Sequence, residues 1–106
     1  DERDAAIAGP ADDMQARSLR EARVDAERLT LAIASALAAD GDLLSAQERS
    51  LIDRRVEELA QASRGEDVAV IQTSIDALSD STEAFAAARM NRGIRAALTG
   101  RRVEEV

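Results

Sequence analysis

The chain has 106 residues and carries 14 basic and 21 acidic side chains, a formal charge of -7 at neutral pH, which disfavours non-specific nucleic-acid binding. Leu, Ile, Val and Phe together make up only 22% of it, too little for a thick two-sheet core, whereas 23 alanines favour closely approaching helices. His, Cys, Lys, Trp and Tyr are all absent, so the usual general bases, thiol nucleophiles, Schiff-base amines and soft metal ligands are missing and no catalytic residue, cofactor site or metal site is expected.

Gly9-Pro10 is the first strong break, setting off residues 1–10 as a short remnant or linker. From Ala11 to Ala39 neither Gly nor Pro intervenes, and the spacing predicts one helix of roughly 43 Å. Its second half carries Ala22, Ala26, Leu29, Ile33, Ala36 and Leu37 at three- and four-residue spacing, a stripe fit for packing. The first half is mostly charged, with Met14, Leu19 and Val24 as its large apolar residues, and is expected to project beyond the bundle. Either it reaches another domain or it is a strand of a dimeric coiled coil; apolar spacings of five and five favour the former.

Asp40-Gly41-Asp42 ends the long helix, with Gly41 expected in the left-handed conformation. Ser45-Ala46-Gln47-Glu48 reads as a capping box opening a second helix over about 45–63, with Ile52, Val56, Leu59 and Ala60 on its buried face. Glu66 and Asp67 stand at the start of a third helix, about 66–79, whose stripe is Val68, Ile71, Ile75 and Leu78. Asp80 to Glu83 offers a second box-like cap, followed by a helix over about 81–98 with Phe85, Ala86, Met90, Ala97 and Leu98 inward. Gly100 is expected to stop it, leaving 101–106 as a charged tail. The fold class is therefore all-α, an antiparallel helical bundle with one long N-terminal helix projecting from it.

Possible sites reduce to ordinary surface features. Asp40, Asp42 and Glu48 suggest a calcium loop, but the positions that should supply its later ligands and its glycine hold Leu44, Ser45 and Leu51. The pairs Asp12-Asp13, Glu57-Glu58 and Glu66-Asp67 point in different directions on a helix. Arg54-Arg55 and Arg101-Arg102 are too few to form a basic patch in so acidic a chain. The longest uncharged run, Leu29 to Ala39, is 11 residues, short for a membrane span. No stretch reads as a secretion signal, and zero Cys is compatible with a reducing compartment. The chain opens on Asp1 rather than Met, as a piece of something longer would.

The motifs together resemble a known family. Ala16-Arg17-Ser18-Leu19-Arg20-Glu21-Ala22, Ala38 to Arg49, Gly65-Glu66-Asp67, Phe85-Ala86-Ala87-Ala88-Arg89-Met90, Ile94 to Gly100 and Val103-Glu104-Glu105-Val106 follow the order seen in the C-terminal helical lid of seventy-kilodalton heat-shock (DnaK-like) chaperones. Within them the chain is most similar to the HscA type, devoted to iron-sulfur cluster assembly, from about Met14 onward. The resemblance implies a lid whose long helix starts over a β-sandwich peptide-binding subdomain of the same chain, opening when ATP binds a separate N-terminal domain and closing after hydrolysis. It implies no enzymatic activity for this segment itself, the scaffold protein IscU as client, a J-domain co-chaperone and a cytoplasmic setting, with no nucleic-acid or membrane partner. Glu27 falls at the acidic latch that pairs with the sandwich, Leu31 replaces a latch histidine, and Arg23-Val24-Asp25 falls where the long helix can bend. The terminus resembles the Glu-Glu-Val-Asp tail of eukaryotic relatives without its last Asp, so docking to helical-repeat co-chaperones is not implied. A free-standing bundle that homodimerises through the long helix is the alternative reading.

Overall fold

The computed structural model describes the backbone of residues 10–105 and the side chains of residues 13–99. Four helices occupy nearly all of it: α1 Pro10–Asp40, α2 Ala46–Arg64, α3 Val68–Ser81 and α4 Glu83–Glu105, with a 3-10 turn at Gly41–Leu43. The segment 1–9, expected as a short remnant, lies outside the described residues.

Short connections force neighbours antiparallel, so α1 runs one way, α2 returns and α3 runs parallel to α1. Each start is fixed locally. Ser45 Oγ accepts from Glu48 N at 3.1 Å while Ser45 N donates to the Glu48 carboxylate at 2.8 Å, a complete capping box. Asp67 Oδ1 accepts from Ala69 N and Val70 N at 3.0 and 3.3 Å, opening α3. The core between these helices is small. Ala22, Ala26, Ile33 and Ala36 of α1 meet Ile52 and Leu59 of α2, Ile71 and Leu78 of α3 and Phe85 of α4, with Leu29, Leu37, Val56, Val68 and Ile75 half-buried around them. Ile52, Leu59, Ile71 and Leu78 are essentially sealed from solvent, and each such side chain contributes about 1.5–3 kcal/mol relative to exposure. Alanines on α1 let the other helices come close enough to seal them.

Several expectations are corrected. Gly41 is not left-handed, and no described residue has positive φ. The helix instead tightens into the 3-10 turn, in which Leu44 N donates to Gly41 O at 3.1 Å, a right-handed continuation. No second capping box forms before α4. Ser81 Oγ and Thr82 Oγ1 donate backwards, to Leu78 O at 2.7 Å and Ser79 O at 2.9 Å, and so close α3 rather than open α4. α4 does not stop at Gly100 but stays helical to Glu105.

Met90 is not a core residue: it is 68% exposed, and Ala86, Ala97 and Leu98 are exposed as well. Five residues advance a helix by about 500°, which leaves Met90 about 140° round from Phe85. The bundle also ends here, since α1 stops at Asp40, and every residue from Arg89 to Thr99 is exposed. At the other end the bundle reaches further along α1 than its charged sequence implies. Leu19 is half-buried, and Val68 borders a shallow cleft with Met14, Gln15 and Ser18, so only the first turns stand clear. The longer free arm is the distal half of α4. Together they draw the molecule out to 77 × 32 × 17 Å with a radius of gyration of 20.1 Å, against about 13 Å for a compact domain of 100 residues.

Candidate functional site

Two polar devices hold the helices in register. At the far end of α1, Arg89 Nε donates to Asp40 Oδ2 at 2.8 Å, and Arg92 Nη1 reaches Asp40 Oδ1 at 3.0 Å and Asp42 Oδ1 at 2.9 Å while its Nη2 donates to Asp42 Oδ2 at 2.6 Å. Arg92 thus grips Asp42 with two parallel bonds, the fork geometry that suits guanidinium and carboxylate. Arg89 and then Arg92 hold the Asp40 carboxyl below its ordinary range, and Arg92 does the same to Asp42. Asp42 and then Asp40 push the Arg92 guanidinium up in turn. Arg89 also stands over the Phe85 ring, 5.9 Å from its centroid. The acidic residues that suggested a calcium loop therefore neutralise arginines, while Glu48 turns to Ser45, whose amide and hydroxyl lower its pKa. Among the described residues no group of three carboxylates converges on one point.

The second device lies on α1 itself. Arg23 Nε donates to Ser63 O at 3.1 Å and its Nη2 to Gly65 O at 2.8 Å, so a cation satisfies carbonyls at the end of α2 that the helix leaves open. In the sequence Arg23 belongs to a stretch, Arg23-Val24-Asp25, where the long helix can bend; in this structure α1 runs through all three, and nothing local to Arg23 points to the distant carbonyls that it reaches. One turn further on, Glu27 edges an open groove between α1 and α2, about 340 Å³ in volume and lined also by Arg23, Thr30, Leu31, Leu59 and Ser63. Glu27 is exposed, and among the described residues no hydrogen bond or ion pair engages it. Val24 and Leu31, exposed on the side of α1 away from the core, continue the same face.

No family model matches the chain. Curated relatives do match it. A chaperone protein HscA homolog of Methylibium petroleiphilum is 58% identical over 94 residues, covering 89% of this chain and 15% of the relative. One from Variovorax paradoxus is 56% identical with the same coverage, and one from Ralstonia pickettii is 54% identical over 95 residues, 90% of this chain and 15% of the relative. Identity at this level runs over nearly the whole of an all-α bundle. More narrowly, the chain is similar to a C-terminal segment of HscA chaperones. It spans 15% of the length of the relatives it matches.

Proposed function

We propose that this bundle is the lid of the peptide-binding domain of an HscA-type chaperone, closing over bound client to slow its release during iron-sulfur cluster assembly. The near-complete alignment with HscA chaperones carries this reading. The outward face of α1 supports it, because Val24, Glu27 and Leu31 are left open to a neighbour by a helix whose opposite face is occupied. In this reading the neighbour is the β-sandwich subdomain, Glu27 is the latch, and the whole chaperone works in the cytoplasm with an IscU-like scaffold as client and a J-domain co-chaperone, drawing on ATP and magnesium in its N-terminal domain. Bending of α1 at Arg23-Val24-Asp25 would release Arg23 from Ser63 and Gly65, so the tether opposes opening.

The test compares client-peptide association and dissociation in the ADP state for the full-length chaperone, its Glu27→Ala variant and a form truncated before Asp12. Loss of one exposed latch contact speeds release by up to about fivefold, and truncation does considerably more. Unchanged dissociation after truncation, or an altered preference among peptides, overturns the lid assignment. The 106-residue chain alone is expected to bind no ATP, since it has neither a phosphate-cradling glycine loop nor a lysine, and saturable nucleotide binding would contradict this.

A further inference from the structure

We infer that Arg23 is a positioning residue for the Glu27 latch, an inference that rests on the lid assignment. Arg23 and Glu27 stand four residues apart on α1, the spacing at which an arginine and a glutamate ordinarily pair. Here the guanidinium reaches sideways instead, with Nε on Ser63 O at 3.1 Å and Nη2 on Gly65 O at 2.8 Å. Glu27 lies exposed on the same groove, and the other residues three and four positions from it, Val24, Thr30 and Leu31, carry no charge. The tether therefore leaves the Glu27 carboxylate unpaired among the described residues. That is the state in which a latch can take a cation from another subdomain.

The tether also fixes where Glu27 stands. This part of α1 is held by little apolar surface, since Ala22 and Ala26 on either side of Arg23 are buried but small, and Leu19 is only half-buried. Two charge-assisted bonds are therefore a large part of what keeps the helix from rolling or bending one turn before Glu27. Their acceptors are firmly placed. α2 ends at Arg64, Gly65 N donates to Ala62 O at 3.0 Å, and two residues later Asp67 caps α3, so the turn that offers the Ser63 and Gly65 carbonyls is pinned at both ends. Those carbonyls lie at the negative end of the α2 dipole, which favours a cation there. A planar guanidinium meets two carbonyls in one fixed geometry, whereas a lysine ammonium in its place is a mobile point charge able to turn to Glu27.

The test is a double-mutant cycle in the full-length chaperone, following dissociation of a labelled peptide of the IscU-like client in the ADP state, with circular dichroism to show that each variant keeps the parent's helix content. Arg23→Met should speed release by about two- to fivefold, and the Arg23→Met, Glu27→Ala double variant should release no faster than Glu27→Ala alone. Arg23→Lys should release client at least as fast as Arg23→Met, because its charge is drawn to Glu27. The inference is overturned if the two substitutions multiply or if lysine restores the parent rate, the behaviour of a structural tether with no tie to the latch. It is equally overturned if Arg23→Met leaves release unchanged while Glu27→Ala speeds it. Failure of the lid assignment beneath it looks different, since dissociation then stays the same even for the form truncated before Asp12.

Discussion

The three-helix body and the α4 arm are built from similar residues and are held in different ways. In the body, Ile52, Leu59, Ile71 and Leu78 are closed in from several sides and the alanines of α1 set the spacing. The arm is fastened at its base by Phe85 and by the Asp40, Asp42, Arg89 and Arg92 cluster, and beyond Ala88 no described side chain is buried. A helix that reads as amphipathic is therefore buried only where a partner runs alongside it. The body depends on excluded water and the arm on charges that water can reach.

That contrast can be broken first in the body. Ile71→Ala should cost about 2–5 kcal/mol in denaturant unfolding, whereas Met90→Ala should stay within about 0.5 kcal/mol. Equal effects would mean that body and arm are not distinct. Next, Ser45→Ala removes an oxygen that caps α2 and should cost about 0.5–2 kcal/mol by the same assay. Smaller again, and opposite in sign, Gly93→Ala should stabilise the chain by about 0.5–1 kcal/mol, because the new methyl meets nothing and the helix interior gains. A loss there would show that α4 is packed at this point.

The smallest expected effect is that of Arg92→Met, and pH sharpens it. The carboxyls of Asp40 and Asp42 have lowered pKa values in the folded chain, so their contribution is fully present above the ordinary carboxylate range near pH 4 and is lost as pH falls through the lowered values. Thermal melts should place the variant below the parent at neutral pH and low salt, with the gap closing on acidification or on addition of salt. A gap that stays constant from neutral to strongly acidic pH would show that the cluster is not ionic.

The parts of this fold that could be read from the sequence are those decided within a turn or two of helix. The stripe of α1, the Ser45–Glu48 box, the Asp67 cap and the spacing of Ile71 and Leu78 all follow from local periodicity and short-range hydrogen bonding. The pairing of Arg92 with Asp40 and Asp42 joins residues more than 50 positions apart in one case and 50 in the other, and nothing in either segment names its partner. Arg23 was similarly opaque, because its acceptors are backbone carbonyls, which every residue has. Met90 lies outside the core for another reason: alanines on several sides of α4 give it more than one apolar face, and the end of α1 decides which face has a neighbour.

Phe85 is the only aromatic residue in the chain, and it sits where α4 meets Ala32, Ile33 and Ala36 of α1. With neither Trp nor Tyr present, the protein has almost no near-ultraviolet absorbance to compete with an added label. A single fluorine on that ring would give one magnetic resonance line from the joint at the base of the arm. Its shift and width would report how often the arm lifts, without interference from any other aromatic site.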